Sequence, residues 1–109
     1  MAAQNLVLHD YELQTVLLPG KDDRPVKGIR ITVTGAEFPM RALQPEILVG
    51  EESAEMVEIT PDLRSVRGYL RKVPKDGAVI RVRYGQSQEG ELRERVNLQR
   101  LRPLADDCT

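Results

Sequence analysis

Apolar and polar positions alternate with period two in two clear runs. In residues 28–35, Ile29, Ile31 and Val33 point one way and Arg30, Thr32 and Thr34 the other; in residues 80–84, Ile80, Val82 and Tyr84 oppose Arg81 and Arg83. This is the pattern of strands with one buried face. Four further runs predict strands: residues 46–49 burying Ile47 and Val49, 56–59 burying Val57 and Ile59, 65–70 burying Val66 and Leu70 around Gly68, and 95–101 burying Val96 and Leu98. Ahead of Pro19, residues 6–8 and 11–18 hold one or two more. Residues 90–101 carry no clean helical stripe, and the alternation of Val96, Asn97 and Leu98 favours a strand there.

The breaks between these runs have turn chemistry. Pro19-Gly20-Lys21-Asp22-Asp23-Arg24-Pro25 is a polar loop, and Pro74-Lys75-Asp76-Gly77 is a turn. Gly85-Gln86-Ser87-Gln88-Glu89-Gly90 reads as an exposed hairpin loop. Short strands at such regular spacing predict an all-β sandwich or barrel, with a disordered tail over residues 103–109.

Several of these residues carry a family resemblance. The run Gly28-Ile29-Arg30-Ile31-Thr32-Val33-Thr34-Gly35-Ala36-Glu37-Phe38 resembles the opening of an IPT/TIG domain, and Pro45-Glu46-Ile47-Leu48-Val49-Gly50 is similar to that family's next strand. Ser65-Val66-Arg67-Gly68-Tyr69-Leu70 and Gly77-Ala78-Val79-Ile80-Arg81-Val82 follow in the family's order. The resemblance covers residues 13–102 and implies an early-set immunoglobulin-like β-sandwich of about seven strands. Such domains act as interaction or dimerisation modules, as spacers, or as DNA-contacting parts of transcription factors. Residues 1–12 have no counterpart in the family and are expected as an N-terminal extension that either adds to the sandwich as an edge strand or pairs with a second copy.

Composition narrows the function. Among 109 residues, 16 Lys and Arg face 17 Asp and Glu, a formal net charge of −1. That balance argues against a dedicated nucleic-acid or membrane binder. A single cysteine, Cys108, allows no intrachain disulfide. The N-terminal stretch is interrupted by His9, Asp10 and Glu12, unlike a signal peptide or a membrane span, and a cytoplasmic protein is expected if residue 1 is the natural start.

Catalysis finds little material. One histidine and one cysteine cannot form a metal cluster within one chain. His9 is the sole imidazole for Ser53, Ser65 or Ser87, no Gly-x-Ser-x-Gly occurs, and no glycine-rich phosphate loop precedes a helix. No cofactor is expected.

Binding is better supplied. Placing residues 80–84 between 46–49 and 95–101 gives one outer sheet face with Arg81, Arg83 and Arg95 beside Leu48, and the other with Arg67, Tyr69 and Arg71 beside Arg30. Tyrosine flanked by arginine is typical of interface hot spots and also suits carboxylate, phosphate or sugar contacts. The bland alternative pairs each arginine with a glutamate across strands. Leu6, Val7, Leu8, Val16, Leu17 and Leu18 form a second candidate surface, more apolar than one edge strand needs. The expected function is a non-catalytic protein-interaction or assembly module with a protein partner or a second copy. The alternative is a polyanion- or carbohydrate-binding module using the arginines.

Overall fold

Period-two burial organises the chain. In the computed structural model, which describes residues 4–36, 38, 45–84 and 88–103, Ile29, Ile31 and Val33 are 2%, 0% and 0% exposed while Arg30, Thr32 and Thr34 stay half-exposed. Residues 104–109, with Cys108, and residues 85–87 of the expected hairpin loop lie outside the described residues. The strands are β1 (Gln4–Asn5), β2 (Leu8–Pro19), β3 (Pro25–Gly35), β4 (Glu46–Val49), β5 (Glu52–Ser53), β6 (Glu55–Ile59), β7 (Ser65–Leu70), β8 (Ile80–Tyr84), β9 (Gln88–Glu91) and β10 (Leu101–Arg102). They form two five-stranded sheets, ordered β1-β9-β8-β4-β5 and β10-β2-β3-β7-β6.

The inner faces share one core. Tyr11, Leu13, Ile31 and Val66 from one sheet meet Ile47, Ile80, Val82 and Tyr84 from the other, with Phe38 and Val96 contributed by connections. Gly68 faces inward between Val66 and Leu70; a Cβ there would stand 2.8 Å from the Ala54 Cβ and 3.0 Å from Val57 Cγ2, so the missing side chain makes room for β6.

Chain crossings close the sides. Ala54 alone separates β5 in one sheet from β6 in the other, and its N–H donates to the Ile47 carbonyl at 2.9 Å. At the other side the N-terminal chain passes from β1, parallel to β9, into β2, antiparallel to β3. Leu6 N–H donates to Glu89 O at 2.9 Å and Ala36 N–H to Val7 O at 3.0 Å, so the crossing is tied to both sheets. β2 then runs unbroken through residues 8–19, which places residues 8–12 in the same strand as Leu13.

The expected strand at residues 95–101 is not present. The partner of β8 on that side is β9, drawn from the polar run expected as a hairpin loop, with Arg81 opposite Glu91 and Tyr84 opposite Gln88. After Glu91 the chain leaves the sheet: Leu92 N–H still bonds Ile80 O at 3.0 Å and Val96 N–H bonds Ala78 O at 2.9 Å. Leu98–Arg100 forms a 3-10 turn capped by the Asn97 side chain, and β10 joins the opposite sheet, parallel to β2. The physical reason is that Gln88–Glu91 already fill the ladder beside β8. Leu92 and Val96, 4% and 3% exposed, fill the core from a connection, and pairing partners outweigh weak strand propensity.

Residues 92–103 therefore strap the sandwich, and Tyr11 fastens them. Its hydroxyl donates to the Arg95 carbonyl at 3.0 Å and accepts from Asn97 N–H at 2.9 Å. The Arg100 guanidinium lies 4.3 Å from the Tyr11 ring centroid and pairs with Asp10 at 3.0 Å and Glu94 at 2.9 Å. Tyr11 N–H, bonded to Asp10 at 2.8 Å, and then Arg100 hold the Asp10 carboxyl below its ordinary range.

Candidate interaction surfaces

Strand register decides what the arginine faces offer. On the sheet containing β8, Arg81 lies opposite Glu91 and Arg83 opposite Glu46, and the side chains pair at 3.2 and 3.0 Å. On the other sheet Arg67 lies opposite Glu58, paired at 3.5 Å, and Tyr69 lies between Arg30 and Glu55. Arg71 bonds Glu55 at 2.7 Å and reaches the Pro19 carbonyl at 3.0 Å. Exposed pairs of this kind contribute about 0–1 kcal/mol each to stability. Their larger consequence is neutralisation, because an incoming anion has to displace a carboxylate already in place.

The strand expected to set Arg95 beside Arg81 and Arg83 is not formed. Arg95 sits instead in the strap after β9, exposed, with its carbonyl engaged by Tyr11.

A cleft of about 600 Å³ near the β6–β7 turn is lined by His9, Thr34, Gly35, Ala36, Asp62 and Arg64. It brings the histidine near a carboxylate, but Asp62 is committed to its own turn. It accepts the Thr60 hydroxyl at 2.6 Å and the Arg64 N–H at 3.1 Å. Those two bonds also hold its carboxyl below the ordinary range. Asp62 is thus a turn-capping acceptor. Among the described residues no group of three or more His, Cys, Asp or Glu side chains could hold a metal, and no helix is long and apolar enough to cross a membrane.

The opposite end is different. β7 pairs with β3 only as far as Ile29 opposite Leu70, while β2 and β3 continue pairing through Val16–Gly28, Leu17–Lys27, Leu18–Val26 and Pro19–Pro25. The β2–β3 hairpin therefore extends past its neighbour as a two-stranded ribbon. Leu18 is buried against Gly28, where any Cβ would collide with it, but Leu17 and Val26 are 53% and 42% exposed.

Val73, 57% exposed, stands beside the ribbon in the connection after β7. It lines a groove of about 350 Å³ with Thr15, Lys27, Ile29, Leu101 and Pro103, and Arg71 closes one side. Leu17 lies on the same ribbon face as Thr15 and opposite Lys27, one step nearer the ribbon tip than the groove. Isolated apolar side chains on a surface need no explanation, whereas large contiguous apolar patches are characteristic of interaction sites.

Sequence reading had singled out Leu17 but had missed Thr15, Lys27, Val73 and Pro103, which lie far apart in the chain. Comparison of the chain with family models, curated proteins and solved structures returns no match.

Proposed function

We propose that the chain is an immunoglobulin-like sandwich of the IPT/TIG kind, serving as a non-catalytic protein-interaction module that docks through its ribbon end. Strand order supports the fold assignment. The run β2-β3-β7-β6 corresponds to strands ABED of an immunoglobulin-like domain, β9-β8-β4 to GFC, and β5 takes the position of the added C′ strand. The resemblance over residues 28–38 falls on β3, its terminal Gly35 and the buried Phe38.

The docking surface is carried by one observation: exposed Leu17 and Val73 flank an apolar groove at the end of a hairpin that outruns its sheet. Burying such side chains against a partner contributes about 25 cal/mol per Å² before the costs of association. The arginine faces supply no comparable gain. Arg67, Arg71, Arg81 and Arg83 each hold a glutamate, which weakens the polyanion or sugar alternative.

Affinity capture with paired variants tests the reading. Leu17→Asp with Val73→Asp is expected to abolish retention of a partner that the parent chain retains, while Tyr69→Ala with Arg81→Ala keeps it. All four sites are at least partly exposed, so folding should be preserved in both variants. Loss of the partner with the Tyr69/Arg81 variant and retention with Leu17/Val73 would return the contact to the sheet faces.

A further inference from the structure

Among the described residues the lower half of β2 has an open flank beside the groove, which bears on the kind of partner. β10 pairs with β2 only at Leu13 and Gln14, in parallel, and the next residue is Pro103. Proline has no N–H to continue a ladder. The Gln14 side-chain amide donates to the Pro103 carbonyl at 2.6 Å and to the Thr15 carbonyl at 3.1 Å, and so fixes where β10 ends. From Val16 to Leu18, β2 therefore has β3 on one flank and, among the described residues, no strand on the other, while the Thr15 and Pro19 carbonyls at the two ends accept from the Gln14 and Arg71 side chains.

The other sheet margins are less suited to accepting a strand. β1 and β5 are two residues long. β6 is irregular between Glu55 and Glu58, where Met56 takes φ 53°, and its two glutamates flank the bulge. Short strands, bulges and edge charges are the usual means of blocking edge pairing. The lower half of β2 carries none of them before Pro19.

We infer that this edge accepts an extended segment of a partner protein as an additional strand, with aliphatic residues entering the groove and carboxylates meeting Lys27. This rests on the ribbon-end reading and specifies the partner's chemistry. Strand addition uses main-chain hydrogen bonds for affinity and alternate side chains for selection. The groove floor is set by Thr15, Ile29, Val73 and Leu101, which favours an aliphatic side chain. Among the described residues its charged lining is Lys27 and Arg71, with no acidic residue, and Arg102 follows the lining residue Leu101 in sequence. Arg71 is engaged by Glu55, while Lys27 has no ion-pair partner among the described residues, so the unpaired charge that those residues bring to the groove is positive.

The test uses the full chain and two blocked peptides, alternating valine with aspartate or valine with lysine, titrated at low ionic strength and followed by backbone amide resonances. The Val/Asp peptide is expected to shift Thr15, Val16, Leu17 and Leu101, and to bind at least about fivefold more tightly than Val/Lys. Lys27→Glu, at an exposed ribbon position, is expected to invert that preference. Equal binding of the two peptides, shifts centred on β6 or β8, or no shift at about 5 mM peptide, where even a millimolar complex would register, overturns the inference. If the paired Leu17/Val73 variant still loses its captured partner in that case, the ribbon-end reading stands and only the added strand fails.

Discussion

Tyr11→Ala is expected to destabilise the fold by about 3–5 kcal/mol, the range for removing a large buried aromatic side chain. Tyr11 is 1% exposed, and its loss would empty a core position and release the strap together. Tyr11→Phe separates the two effects. It keeps the ring and the Arg100 contact but leaves the Arg95 carbonyl and the Asn97 N–H without their partner. Its expected cost is about 1–3 kcal/mol, the range for part-buried groups left unpaired. Chemical denaturation of both variants measures this, with amide exchange at Asn97 as the local readout. A Tyr11→Phe chain as stable as the parent, with Asn97 still protected, would mean that the strap is held without the hydroxyl. Acid should loosen the same region. Asp10 has a lowered carboxyl pKa in the fold, so its stabilisation is present above the ordinary carboxylate range and disappears as pH falls through the lowered value.

Gly90→Ala is the second large effect, about 1–3 kcal/mol of destabilisation by overpacking. A Cβ at Gly90 would stand 2.6 Å from the Leu6 carbonyl oxygen and 2.8 Å from the Leu6 Cβ. The nearest atom is backbone, which cannot rotate away. Gly35 meets the same crossing from the other sheet, where a Cβ would approach the Val7 carbonyl. The N-terminal chain thus changes sheets between two glycines. Thermal melting should show the loss, accompanied by faster exchange at Leu6 and Ala36, whose N–H groups bond across the crossing. An unchanged melting temperature with both amides still protected would show that the crossing tolerates side chains there.

How legible the fold was depends on where each strand's partner information resides. Residues 46–49, 65–70 and 80–84 coincide with β4, β7 and β8, because a half-buried strand writes its two faces into its own sequence. β9 did not. Gln88, Glu89, Gly90 and Glu91 have poor strand propensity, and they become a strand because β8 offers a ladder and the absent Gly90 side chain admits Leu6. Misreading β9 as a loop led directly to misplacing Arg95. The two-residue β1 and β10 left no periodic trace, since pairs this short are set by where the chain crosses rather than by local pattern.

The candidate surfaces divide in the same way. Arg81, Arg83, Arg67 and Tyr69 were readable as outward residues, but the glutamates facing them are a matter of register. Surplus apolar residues before Pro19 were visible, while the distinction between Leu18, buried over Gly28, and Leu17, exposed, follows from the ribbon running past β7. Val73 lies between turn residues and Pro103 beyond the last apolar run. Neither carries a sequence signal that joins it to Leu17.

Hydrogen–deuterium exchange of the chain, alone and bound to a captured partner, tests the location of the contact most directly. The ribbon-end account predicts slowed exchange at Thr15 to Leu18 and at Val73, with the strands bearing Arg67 to Tyr69 and Arg81 to Arg83 unchanged. Slowed exchange confined to those arginine-bearing strands, with the ribbon as open as in the free chain, would contradict it.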